Sequence, residues 1–194
     1  MTDEDGTVRG PDGELRCPWS LSAPEYIAYH DDEWGQPLHG DLAIFERLSL
    51  EAFQSGLSWL TILRKRENFR VAFDGFDPEV IAEYGPDDVA RLLSDAGIVR
   101  NRAKIDAVIT NARAMLTIPG GLSDLVWTFA PAAPTSVPRT MAELPASIPE
   151  SKELAKELKR RGFVFTGPVT AYATMQACGL VNDHLASCFR RARD

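Results

Sequence analysis

Side chains able to hold a metal ion stand near both ends of this 194-residue chain: Cys17 and His30 on one side, His184 and Cys188 on the other. If the four met on one ion, the two terminal segments would have to lie side by side, which narrows the topologies open to the chain. His184 and Cys188 are four apart, so on a helix they share one face and reach one ion together. Cys17 and His30 have twelve residues between them, wide for a zinc finger but workable across a turn and a helix. A Cys₂His₂ set is the closed tetrahedral composition of structural zinc, whereas a catalytic zinc keeps three protein ligands and an open water position. The same residues also suit a plain core, since buried cysteine is common and His184 can bond a main-chain carbonyl. Cys178 and His39 stand outside the set, and an odd count of three cysteines does not suggest a disulfide framework.

Between these ends the chain reads as helices. At 44% hydrophobic and 25% charged residues it can build one domain, or two small lobes sharing a core. A short helix fits residues 24–30. Gly40 and Asp41 open a helix with Leu42, Phe45, Leu48 and Ala52 at helical spacing, interrupted by Gly56. Ser58 caps the next, with Trp59, Ile62, Leu63 and Phe73 on one side. Asp77-Pro78-Glu79 joins an N-cap to a proline at the first helical position, and Pro86-Asp87-Asp88 repeats the pattern ahead of Val89, Leu92 and Leu93. Residues 95–116 break at Gly97 and then carry a stripe of Ile105, Val108, Ile109, Ala112 and Met115. Residues 130–149 hold Pro131, Pro134, Pro138, Pro145 and Pro149, a surface loop with a short helix around Thr140–Leu144. Helices follow over Ser151–Arg161, ended by Gly162, and over Pro168–Cys178, ended by Gly179, before Asp183 and His184 open a last one. Strand signals are few, so the expected fold class is all-α.

Residues 1–15 are acidic, lack the apolar core of a signal peptide and read as a disordered tail. No apolar run is long enough to span a bilayer, and a cytoplasmic protein is expected. A net charge of −7 argues, taken alone, against a nucleic-acid partner. Its distribution still permits a basic groove, with clusters at Arg64, Lys65, Arg66 and Arg70, at Lys156, Lys159, Arg160 and Arg161, and at Arg190, Arg191 and Arg193. Each cluster alone is more simply a solvated helix face. The turn carrying Gly97, Arg100, Arg102 and Lys104 is either an ordinary helical corner or a hairpin whose amides and cations meet phosphate.

The stretch Tyr26–Gly35, YIAYHDDEWG, gathers Tyr26, Tyr29 and Trp34 around His30, surfaces on which a flat ring can stack. Glu51 lies among Leu48, Leu50 and Phe53, so its carboxylate is either on an exposed stripe or in a pocket where its charge must be matched. With Trp59 nearby, these residues would make a pocket for a flat, positively charged heterocycle.

The segments CPW, YIAYHDDEWG, LEAFQSGLSWLTILRKRENFR, DAGIVRNRAKIDAVITNARA, RGFVFTG and MQACGLVNDH closely resemble the bacterial 3-methyladenine DNA glycosylase I (TAG) family, in order from about Arg16 to Cys188. The resemblance implies a helix-hairpin-helix DNA glycosylase fold over residues 16–190. A helical hairpin lobe would span about 41–117, and a zinc lobe about 16–40 plus 118–190. It implies one structural zinc per chain on Cys17, His30, His184 and Cys188, Glu51 as the catalytic residue, and a base pocket of Tyr26, Tyr29 and Trp59 with Trp19 and Trp34 nearby. Gly97, Arg100, Arg102 and Lys104 would contact DNA, and Gly56-Leu57 would plug the gap left by a flipped base. The implied partner is alkylated double-stranded DNA, met by a monomer with no obligate protein partner. Asp106 follows the hairpin too early to be given a role, and no lysine is placed as a Schiff-base nucleophile, so no lyase activity is expected. Ala52 and Phe53 stand where related sequences lead one to expect glycine and glutamine. Rival readings are a non-catalytic zinc-stapled DNA-binding module and a zinc hydrolase acting on a small nucleoside.

Overall fold

Residues 6–132 and 137–191 are described in the computed structural model of the chain. Two short strands, β1 (Val8–Arg9) and β2 (Leu15–Arg16), pair antiparallel with Val8 opposite Arg16. Helices follow in the order α1 (Pro24–Asp32), α2 (Asp41–Gln54), α3 (Trp59–Ala72), α4 (Pro78–Ala82), α5 (Pro86–Ser94), α6 (Arg102–Met115), α7 (Leu122–Trp127), α8 (Pro149–Arg160) and α9 (Pro168–Ala177). Single 3₁₀ turns cover Pro18–Ser22, Asp74–Phe76 and Met141–Glu143.

Local chemistry sets most of the helix starts. Ser58 Oγ accepts from the Thr61 amide at 3.3 Å, Asp77 Oδ1 from Glu79 at 2.9 Å and Asn101 Oδ1 from Lys104 at 3.2 Å, each satisfying an amide that a helix leaves without a partner. Proline opens α1, α4, α5, α8 and α9, where its missing N–H costs nothing.

The core forms around α2, which packs against α3, α6, α7 and α9. Ile44, Phe45, Leu50 and Phe53 of α2 are fully buried. Phe53 meets Phe69 at 4.7 Å between ring centroids, and Phe73 stacks on Phe76 at 5.6 Å; emptying one such ring position costs about 3–5 kcal/mol. Ala52 and Phe53 are both buried, Phe53 within the core, and neither lines the cavity described below. Both ends of α2 are tied down. Asp41 Oδ1 accepts from the Ser123 amide at 2.8 Å while Ser123 Oγ accepts from Gly40 at 3.0 Å, which joins α2 to α7. At the other end, Lys104 Nζ donates to the carbonyls of Phe53 at 2.8 Å and Ser55 at 2.5 Å.

The terminal segments differ from expectation. The described part of the first fifteen residues is an ordered hairpin, not a disordered tail; residues 1–5 lie outside the described residues. The Arg16 guanidinium, 3% exposed, accounts for this order. It donates to both Asp12 oxygens at 2.7 and 2.6 Å and to both Asp31 oxygens, and lies 4.9 Å from the Phe189 ring centroid. These are charge-assisted, bidentate contacts that an acidic stretch can offer an arginine. Among the described residues the last helix is absent, and residues 182–190 form turns and irregular backbone. Their amides bond to other segments instead of their own fourth neighbours: Leu185 to Cys17 Sγ, Ala186 to the Pro138 carbonyl, Phe189 to that of Leu15. Arg191 Nη1 takes the carbonyls of Asn182 and His184 at 2.8 and 2.7 Å. The short helix expected around Thr140–Leu144 is the 3₁₀ turn at Met141–Glu143, whereas α7 went unanticipated. Pro134 of the proline-rich stretch and Arg193 of the last basic cluster lie outside the described residues.

Candidate active site

A cavity of about 410 Å³ opens between α1, α2, α3 and α9, and the structure brings Trp19, Tyr26, Tyr29, Trp34, Glu51 and Trp59 together on its walls. Trp19 rides on the 3₁₀ turn, Tyr26 and Tyr29 sit one helical turn apart on α1, and Trp59 is the first residue of α3. The rings hold one another mostly edge to face. Trp19 meets Tyr26 at 5.5 Å and 86° and Trp34 at 5.2 Å and 80°, while Tyr29 meets Trp59 at 5.4 Å and 43°, arrangements favoured by the aromatic quadrupole. Tyr26 Oη accepts from the Leu60 amide at 2.8 Å, fixing the start of α3 against α1. The Trp59 indole N–H is buried without a hydrogen-bond partner among the described residues.

Glu51 is 6% exposed, and among the described residues nothing hydrogen-bonds its carboxylate. Burial pushes that carboxyl up to about 7, against the pull of the Arg47 guanidinium toward lower values. Arg47, one turn earlier on α2, donates to Tyr29 Oη at 3.3 Å and Glu33 Oε2 at 3.4 Å. Glu33 also receives Arg66 at 2.5 and 2.9 Å, so a line of alternating charge backs the cavity wall. A buried, unpaired carboxylate facing an aromatic cavity costs stability unless a ligand supplies the missing donor and charge. Sequence reasoning did not single out Arg47, although its i,i+4 spacing from Glu51 was a signal. Gln54, Gln176, Met141 and Leu144 also line the cavity and were missed. Gln176 donates to Asp183 Oδ2 at 2.8 Å, the oxygen that Tyr172 Oη also reaches.

Behind the rings lies the Cys/His group. The donor atoms of Cys17, His30, His184 and Cys188, all buried, lie within 4.8 Å of one another. His184 Nδ1 is 3.2 Å from His30 Nε2, Cys188 Sγ is 3.5 Å from His30 Nε2 and 3.6 Å from His184 Nδ1, and Cys17 Sγ is 3.9 Å from His184 Nδ1. A tetrahedral zinc with ordinary bond lengths spaces its ligands similarly, N to N by about 3.3 Å and N to S by about 3.6 Å. The other ring nitrogens are engaged, His30 Nδ1 with Asp31 Oδ1 at 2.7 Å and His184 Nε2 with the Trp34 carbonyl at 3.1 Å. Such contacts orient metal-binding histidines and leave their inward nitrogens as donors. The group therefore suits a metal ion. It also props the cavity, because Trp19 packs on His30 at 5.2 Å and Trp34 on His184 at 4.7 Å.

The residues expected at DNA divide. Gly56, at φ +80°, and Leu57, 40% exposed, project from the loop between Gln54 and Ser58 at the cavity rim. Arg100 and Arg102 are exposed and have no ion-pair partner among the described residues. Gly97 is a packing glycine. Its amide donates to Asp95 Oδ1 at 2.6 Å, and a Cβ there would stand 3.2 Å from Asn68. Lys104 is a correction: at 8% exposure its ammonium caps the end of α2 and is not free for phosphate. Two carbonyls left over by that helix capture it. Asp106 is exposed on α6 and does not line the cavity.

A second hairpin, unmarked in the sequence reading, joins α8 to α9 through residues 161–167. Asn111 of α6 holds its turn, donating to the Val164 carbonyl at 3.1 Å and accepting from its amide at 2.8 Å. Lys152, Lys156 and Lys159 line an open groove of about 650 Å³ beside it.

Residues 19–191 match the methyladenine glycosylase family. The chain is 48% identical over 177 residues to DNA-3-methyladenine glycosylase 1 of Escherichia coli (strain K12), covering 89% of this chain and 95% of that protein. It superposes on a crystal structure of 3-methyladenine DNA glycosylase I (TAG) with a TM-score of 0.85 at 49% identity, over 90% of this chain and 98% of the other. The corresponding enzyme of Staphylococcus aureus, whose structure addresses 3-methyladenine recognition, aligns with a TM-score of 0.84 at 35% identity over 90% and 95%.

Proposed function

The chain belongs to the methyladenine glycosylase family, and from that premise we propose that it hydrolyses the N-glycosidic bond of 3-methyladenine in alkylated double-stranded DNA. The observation that carries the reading is the unpaired Glu51 carboxylate facing a cavity walled by Tyr26, Tyr29 and Trp59.

Chemistry explains why such a site suffices. Alkylation weakens pairing and stacking, so the damaged nucleotide flips out at reduced cost. Adenine alkylated at N3 is cationic and a good leaving group, which removes the need for a strong general acid. The site must instead tell the cation from ordinary adenine. Rings stack on its faces, and Glu51 accepts a hydrogen bond from the exocyclic amine while balancing the charge. Arg47 pulls the Glu51 carboxyl toward lower values, against the effect of burial, and so favours the ionised form that the cation needs. No lysine lines the cavity among the described residues, and the reading is of a hydrolase without lyase activity.

The metal supported by the Cys₂His₂ donor set is one structural zinc, held by Cys17, His30, His184 and Cys188. Its part is to clamp the chain ends behind Trp19 and Trp34. On this reading residues 41–117 form the hairpin lobe, and 16–40 with 118–190 the zinc lobe. Leu57 enters the duplex beside the flipped base, Arg100 and Arg102 meet phosphate, and the α8–α9 turn with its lysines adds a second backbone contact. We read the enzyme as a cytoplasmic monomer that needs no protein partner on DNA.

Titrating free 3-methyladenine while following tryptophan fluorescence tests the base site. Quenching by 3-methyladenine, with binding about 10- to 100-fold weaker in Glu51→Gln as a charge-assisted hydrogen bond requires, supports the reading. Equal affinity of both proteins refutes the role of Glu51.

A further inference from the structure

One wall of the cavity is unlike the rest. Trp19, Tyr26, Tyr29 and Trp59 are rings locked against one another, whereas Met141 and Leu144 approach from the proline-rich connection between α7 and α8. Met141 is 41% exposed at the cavity, so its position is not explained by burial in the core. What holds this strap lies elsewhere. The Pro138 carbonyl accepts from the Ala186 amide at 2.8 Å, on the segment between His184 and Cys188. Gly6, at φ +70°, also lies so close that a Cβ would stand 2.9 Å from the Arg139 carbonyl oxygen and 3.2 Å from Thr140 Cα. The strap thus touches both the N-terminal segment at Gly6 and the segment carrying His184 and Cys188, just ahead of Met141 and its 3₁₀ turn. The hairpin precedes residue 19, where the family match begins.

We propose that Met141 and Leu144 form the size-selecting wall of the base pocket, and that the N-terminal hairpin sets where that wall stands. The inference rests on the base-pocket reading above. A thioether is soft, unbranched and favourable against an aromatic face, so Met141 closes over the exposed face of a flipped purine without demanding one fixed shape. Truncating it adds room on a side where no locked ring limits the base. Pressure on the strap through Gly6 moves the same wall from outside the pocket.

Steady-state release of 3-methyladenine and 3-ethyladenine from alkylated duplex DNA provides the test, beside titration with free 3-methyladenine. Met141→Ala should weaken binding of free 3-methyladenine about five- to tenfold, as loss of an exposed apolar side chain that the bound base would cover implies. It should also raise the ethyl-to-methyl ratio of kcat/KM and leave the melting temperature unchanged, because Met141 is exposed. Gly6→Ala should weaken binding about threefold through displacement of the strap. Gly13→Ala is the matched control: Gly13 also has a positive φ, +87°, yet a Cβ there would meet nothing within 4 Å. It should bind as the wild type does. Unchanged affinity and ratio in Met141→Ala overturn the wall, and equal behaviour of Gly6→Ala and Gly13→Ala overturns control by the hairpin. A wild type that neither binds nor releases 3-methyladenine fails the functional reading itself, a result separable from both.

Discussion

Replacing Glu51 with glutamine should stabilise the folded protein above neutral pH while weakening its hold on the base. The carboxyl stands at about 7 in the folded protein, raised by burial from 4.5. Between those values the folded state keeps a proton that the unfolded state has released, so stability falls as pH rises from 4.5 through 7. Above pH 7 the full penalty applies, about 3 kcal/mol at about 1.4 kcal/mol per pH unit; below 4.5 it is absent. Glutamine has nearly the same shape and no charge to desolvate. Urea unfolding of the two proteins at pH 5 and pH 8 should therefore give similar stabilities at the lower pH. At pH 8 the variant should be more stable by about 3 kcal/mol, or roughly 6–12 °C in melting temperature for a chain of this size. Stabilities that differ equally at both pH values, or a variant less stable at pH 8, would refute the claim that Glu51 is a buried charge awaiting a ligand.

Lys104→Met should cost about 1–3 kcal/mol by leaving the Phe53 and Ser55 carbonyls without their donor, measurable by thermal unfolding. Arg102→Ala, by contrast, should leave the melting temperature alone, weaken DNA binding and lower the salt slope by about one. Asn111→Ala, which removes both bonds to Val164, should destabilise the protein by about 1–3 kcal/mol and also weaken DNA binding through the loosened α8–α9 turn. Removal of metal with a chelator should lower the melting temperature, and base release should decline with unfolding, not at the moment of chelation; elemental analysis should find one zinc per chain in the untreated protein. Immediate loss of activity in a still-folded protein would contradict a purely structural ion.

Much of the fold was legible because its signals are local. Ser58, Asp77 and the prolines at positions 78, 86 and 168 mark helix starts by chemistry that needs no distant partner. The misreadings lie where distant partners decide. α7 has six residues, and its first turn is capped by Asp41 from far along the chain. His184 and Cys188 have helical spacing, yet amides of their segment bond to Cys17, Pro138 and Leu15, which override it. Lys104 reads as a surface cation until the end of α2 is placed beside it. The aromatic and carboxylate walls of the site were visible in dense motifs, but Met141 and Leu144 were not, since a proline-rich stretch carries no periodicity to show which way it faces.

The most direct test of the account is release of free base from methylated duplex DNA by the wild type and by Glu51→Gln, each folded and zinc-loaded. Rapid release of 3-methyladenine by the wild type and much slower release by the variant is the predicted result. A folded, zinc-loaded wild type that releases no 3-methyladenine would contradict it, and would leave a DNA-binding module stapled by metal as the better description of the chain.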